Sequence, residues 1–180
     1  MSNPEAWLLG KVKGFSDALM PVVHALVQAR REIAALRVDI STQQCRAGPG
    51  GAAPIGFHIA HITGSLDRLF TYARGEPLSS DQVNYFHNEK SVGLGHSRHE
   101  LFSAVLGRID ICLEALREIS DHELLESRAV GRDQLPSNVI GLLFHSAEHT
   151  TMHVGQIRTT LKVIRGLASA DHNLRCDRDT

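Results

Sequence analysis

Three histidines recur at intervals of four, His145, His149 and His153, and Gln156 follows three residues later. On an α-helix, at about 100° per residue, these four side chains fall within roughly 80° of one another. Imidazoles one turn apart can converge on a single divalent metal, because each offers a neutral nitrogen lone pair in nearly the same direction. The same segment carries Val139, Ile140, Leu142, Leu143, Met152, Ile157, Leu161 and Ile164, so it reads as a largely buried helix. Ionisable rings in such a helix are costly unless each is hydrogen-bonded or ligated. A metal ion accounts for the whole row at once.

A second pair, His58 and His61, flanks another apolar stripe: Ile55, Ile59, Ile62, Leu66, Leu69 and Ala73. Periodicity does not choose between His145/His149 and His149/His153, nor between His58 and His61. The stripe slightly favours His58, which lies nearer its centre. HSAEH (145–149) also fits the H-x-x-E-H zinc-peptidase pattern. The further acidic ligand and large α/β context of those enzymes are missing, and Glu148, about 100° from His149, points towards a neighbouring helix or solvent. The other histidines, taken singly, read as ordinary hydrogen-bonded residues.

The elements that must hold these rings are helical. A first long helix is predicted over 20–38, with Pro21 acceptable in its first turn and Arg30, Arg31 and Glu32 outside. CRAGPGGAAP (45–54) is a loop. A second helix runs from 54 to 74 and ends at Gly75. A shorter helix over 81–90 and a glycine-containing loop, SVGLGH, precede the third long helix, 97–120. Ser97 and Glu100 form a capping box at its start. A helical fragment over 122–127 and the loop RAVGRDQLP lead to the last helix, 137–166, with Ser137 as N-cap and Gly166 beyond its end. No convincing alternating strand is present. The expected fold is all-α, one bundle domain over 1–166 with a flexible polar tail over 167–180. Trp7, Leu8 and Leu9 are expected to pack an N-terminal arm against the body.

Composition narrows the function. With 42% hydrophobic and 22% charged residues and a formal net charge of −1, the chain offers no electrostatic case for nucleic acid or an anionic membrane. No apolar run reaches the roughly 18 residues that span a bilayer. The N-terminal stretch lacks the pattern of a signal peptide, so a cytoplasmic location is expected. Three widely spaced cysteines, Cys45, Cys112 and Cys176, read as reduced thiols and not as a disulfide framework or zinc site.

HITGSLDRLFTYARG (61–75), followed by AEHTTMHVGQI (147–157), resembles the DinB-like (DinB/YfiT) four-helix-bundle superfamily. The resemblance covers roughly residues 17–166. Its most specific element is H-x-x-x-H-x-G-Q on the last helix, with H-[IL]-x-x-S on an earlier one. It implies an up-down four-helix bundle with short extra helices and a divalent metal bound by three histidines. By motif these are His61, which precedes Ile62 and stands four before Ser65, with His149 and His153. His58, His145 and Gln156 then become neighbours of the centre. The family includes thiol S-transferases that use bacillithiol or mycothiol, and a mycothiol-dependent maleylpyruvate isomerase whose type carries a further domain that this chain is too short to hold. Many members have no known activity, so the resemblance implies a scaffold and a metal more firmly than a reaction.

Three neutral imidazoles leave a coordination position open, the pattern of a catalytic metal site. All-nitrogen ligation suits zinc, nickel or iron. The resulting expectation is thiol transfer to a small-molecule substrate. The alternatives are metal-dependent hydrolysis at the same site, or a non-enzymatic metal-binding or stress-response bundle. No cysteine lies beside a histidine, so the thiol would come from a low-molecular-weight cofactor. Arg68, Arg128 and Arg132 are candidates for holding an anionic group, and no catalytic residue is singled out. A hydrophobic bundle face makes a homodimer the expected assembly.

Overall fold

Leu26 and Ile33, Ile55 to Leu66, Phe102 to Leu116, and Leu143 interlock at one centre, each fully or almost fully buried at its apolar stripe positions. They come from four long helices of a computed structural model that describes residues 4–176, with side chains to residue 169. In chain order the helices are α1 (Met20–Asp39), α2 (Thr42–Arg46), α3 (Ile55–Ala73), α4 (Ser80–Gly95), α5 (Arg98–Glu118) and α6 (Val139–Cys176). The long ones, α1, α3, α5 and α6, form the expected all-α four-helix bundle. α3 packs on both α5 and α6, and α1 closes the ring against the same two helices. Arg158–Glu32 at 3.0 Å and Arg165 Nη2 donating to Asp39 O at 2.8 Å show α1 and α6 running in the same direction, so the all-α bundle does not keep the strictly alternating up-down order.

Local chemistry explains several boundaries. Ser97 Oγ accepts from Glu100 N and Glu100 Oε2 accepts from Ser97 N, at 3.2 and 2.8 Å, so the predicted capping box starts α5. Ser41 with Gln44 and Ser79 with Gln82 make the same reciprocal caps on α2 and α4. Pro54 precedes α3, and Gly75, at φ 75°, ends it.

Other expectations need correction. The predicted loop 45–54 is only partly loop, because α2 covers Thr42–Arg46 and a 3-10 turn covers Pro49–Gly51. SVGLG is helical and extends α4 to Gly95; Gly93 is needed there for close packing on α3. The segment after α5 forms a 3-10 turn, Asp121–Glu123, then a two-stranded antiparallel hairpin, β1 (Ser127–Val130) and β2 (Leu135–Asn138). Four-residue strands, one of them containing Pro136, are too short to give a readable alternation. Ser137 therefore lies in β2, and Asn138 is the cap of α6, its Oδ1 accepting from Gly141 N at 2.8 Å.

Gly166 does not end α6, which continues to Cys176. Residues 167–176, expected in a flexible tail, are thus helical, and 177–180 lie outside the described residues. The N-terminal arm is anchored differently from expectation. Ala6 is buried, with its N–H donating to Gln28 Oε1 at 3.0 Å, while Trp7, Leu8 and Leu9 remain exposed. No helix among the described residues is long and apolar enough to cross a membrane.

Candidate metal centre

α3 and α6 pass antiparallel, so that His58 faces His153 and His61 faces His149. Each pair joins one ring from the first two turns of α3 to one from α6. One potential ligand nitrogen from each of His61, His149 and His153 lies within 4.8 Å of the other two. His61 Nε2 and His149 Nε2 are 2.9 Å apart. The ring centroids of His149 and His153 are separated by 4.5 Å, and those of His61 and His153 by 4.7 Å. Phe57 stacks on His61 at 5.5 Å, with ring planes 13° apart.

Two of the three rings have their remaining nitrogen engaged. His61 Nδ1 lies 2.6 Å from Glu89 Oε2, and His153 Nδ1 lies 3.0 Å from His58 Nδ1. A carboxylate can only accept, so Glu89 holds the His61 proton on Nδ1 and leaves the Nε2 lone pair free. The other pair admits a single proton between its facing nitrogens. With that proton on His153, His58 accepts it and His153 Nε2 is also free to ligate.

The electrostatics favour the neutral form of His58, His149 and His153. Burial pushes the His153 pKa down to about 3, and the neighbouring His149, His61 and His58 add repulsion against a charged ring. His149 and His58 are lowered for the same leading reason, desolvation, followed by the proximity of His61. Neutral imidazole is the ligating form. Three converging ring nitrogens, two of them oriented by hydrogen bonds on the far side of the ring, fit a divalent metal.

The remaining candidates are dispersed around this centre. His58 is buried behind His153, outside the three-donor group. His145 is more than half exposed, its Nδ1 3.3 Å from Glu148 Oε2, and its ring sits 5.2 Å from that of His149. Glu148 is half exposed and directed to His145, so H-x-x-E-H does not assemble a peptidase site. Gln156 is exposed, one turn beyond His153 on α6. Arg68 is tied to Glu89 at 2.7 Å, Arg128 donates to Ala73 O at the far end of α3, and Arg132 lies in the hairpin turn.

Glu89 was invisible in the sequence as a partner of His61, 28 residues away. The only available signal is the spacing of Tyr85, Glu89 and Gly93, which places them on one face of α4. Glu89 and Gly93 are the buried residues of that helix.

The profile of the DinB superfamily matches residues 25–157, a span that includes all three converging histidines. The chain belongs to the DinB superfamily. A solved structure, described as a conserved protein of locus from Enterococcus faecalis, is similar with a TM-score of 0.67. It covers 82% of this chain and 97% of its own, at 13% identity, and so shows a shared fold alone. No curated protein matches the chain.

Proposed function

We propose that this DinB-superfamily protein is a metal-dependent enzyme that transfers a low-molecular-weight thiol to an electrophilic small molecule. The observation that carries the proposal is the convergence of His61, His149 and His153, with the far nitrogens of His61 and His153 engaged by Glu89 and His58. When bound, a divalent zinc, nickel or iron ion supplies a Lewis acid that favours the deprotonated thiol.

The two thiols among the described side chains are poorly suited to be the nucleophile. Cys45 and Cys112 are buried, and desolvation raises both pKa values, that of Cys112 to about 12. A thiolate is the reactive form, so these two remain protonated and enclosed at neutral pH. An external thiol of the bacillithiol or mycothiol type answers that need.

Beside His58 lies a cleft of about 500 Å³, walled by Ala52, Ala53, Gly155 and Met152 with Gln156 and two threonines. It contains no formal charge, and of the histidines around the centre only His58 lines it. In the reaction, the thiol sulfur forms a bond to the electrophilic carbon, the leaving group departs with the bonding pair, and the thiol proton passes to solvent.

The test is formation of the thioether from bacillithiol or mycothiol and monochlorobimane by metal-loaded, untagged protein, followed by fluorescence. Conjugation faster than the solution background, lost in His149→Ala/His153→Ala, is expected. Metal-loaded protein that leaves the background rate unchanged but hydrolyses ester or amide probes would overturn thiol transfer in favour of hydrolysis.

A further inference from the structure

Glu89 is a buried carboxylate, 4% exposed, on a helix whose other residues are mostly exposed. Burying that charge is unfavourable unless both oxygens are partnered. Both are. Oε2 takes His61 Nδ1 at 2.6 Å, and Oε1 takes Arg68 Nη1 at 2.7 Å. Arg68 is itself only 12% exposed, and its guanidinium lies 4.6 Å from the centre of the Phe86 ring.

The packing is built to admit this trio. A Cβ on Gly93 would lie 2.6 Å from the backbone of Gly56, so α3 and α4 approach there at backbone contact. A Cβ on Gly64 would lie 2.5 Å from Glu89 Oε1 and 2.8 Å from Arg68 Nη1. Glycine at these places lets α4 come close enough for Glu89 to reach across to α3.

We propose that Glu89 is a positioning residue of the metal centre: held by Arg68, it fixes His61 as the Nδ1–H tautomer and keeps its Nε2 lone pair directed to His149 and His153. This rests on the metal-centre reading above and extends it to a residue on α4. The role of Arg68 follows from its donors. A guanidinium can only donate, so it demands an acceptor from whatever side chain stands at position 89. In Glu89→Gln the amide oxygen turns to Arg68, and the amide NH₂ faces His61 Nδ1. His61 must then accept at Nδ1 and carry its proton on Nε2, the nitrogen required for ligation. Replacing Arg68 with methionine as well frees the amide to rotate and restores an acceptor to His61.

Two measurements on the full chain test this. In metal-free protein, long-range ¹H–¹⁵N NMR should find wild-type His61 as the Nδ1–H tautomer and the E89Q variant as the Nε2–H tautomer. In competition titrations with Zn²⁺, E89Q should bind about 10- to 100-fold more weakly, the range for loss of a ligand-orienting partner. The double variant E89Q/R68M should recover most of that affinity, which a merely structural role would not produce. Thermal melts of each variant establish that it is folded. A wild-type His61 carrying its proton on Nε2 would overturn the proposal even where a variant fails to fold. Equal zinc affinity in folded E89Q and wild type would overturn it while leaving the three-histidine centre standing. A wild type that binds no zinc would overturn both.

Discussion

His58 Nδ1 and His153 Nδ1 face each other at 3.0 Å across the buried seam between α3 and α6. Only one proton fits between them, and a ligating His153 must own it. His58 is then an acceptor that orients a ligand and is not itself one. His58→Ala should retain one equivalent of metal with affinity weakened about 10-fold, while His153→Ala should lose stoichiometric binding. Competition against a chromophoric chelator measures both. Loss of stoichiometric binding in His58→Ala would place His58 among the ligands instead.

The low pKa values of His58, His149 and His153 make the metal-free protein sensitive to acid. In the unfolded chain these rings titrate near about 6.5, whereas burial keeps the folded rings neutral to lower pH. Below about 6.5 the unfolded state therefore binds protons that the folded state refuses. Their contribution to stability is complete above that pH and declines as pH falls through the interval down to the folded values. Urea midpoints of chelator-treated protein should drop from pH 7.5 to 5, with a shallower drop in His153→Gln. Equal slopes in the two proteins would contradict the assignment.

Much of the framework is legible locally. Ile55, Ile59, Ile62 and Leu66 announce the buried face of α3, and Ser97 with Glu100 announces the start of α5, because both signals lie within one helix. The four-residue spacing of His149 and His153 likewise needs only helical geometry. What the local pattern left open was His61 against His58, and His145/His149 against His149/His153; only the family resemblance favoured His61, His149 and His153, the three that converge here. What it missed were pairings between distant residues: Glu89 with His61, Gly93 with Gly56, and the β1–β2 hairpin. Gly166 illustrates the opposite error, a strong stop signal overridden within α6.

The α3–α4 contact should be intolerant of added bulk. Gly93→Ala places a methyl group against the Gly56 backbone, which has no flexible side chain to move aside. Such overpacking costs about 1–3 kcal/mol. Chemical denaturation should show a loss in that range, together with weaker zinc binding if α4 moves Glu89 away from His61. Unchanged stability would mean that the helices separate without cost.

Native-state thiol chemistry checks the burial of the cysteines. At pH 8, Cys45 and Cys112 should resist iodoacetamide, because their thiols are enclosed and their pKa values raised by desolvation. Both should react promptly in denaturant. Peptide mass spectrometry identifies the labelled positions, and rapid native labelling of Cys112 would contradict its enclosed position.

The most direct measurement is metal content by mass spectrometry on protein purified without a histidine tag, wild type beside His149→Ala/His153→Ala. The predicted result is about one equivalent of zinc, nickel or iron in the wild type and none in the double variant, the single open-sided site that three imidazoles can supply. A wild type that carries no metal, and takes up none on incubation with these ions, would contradict the account.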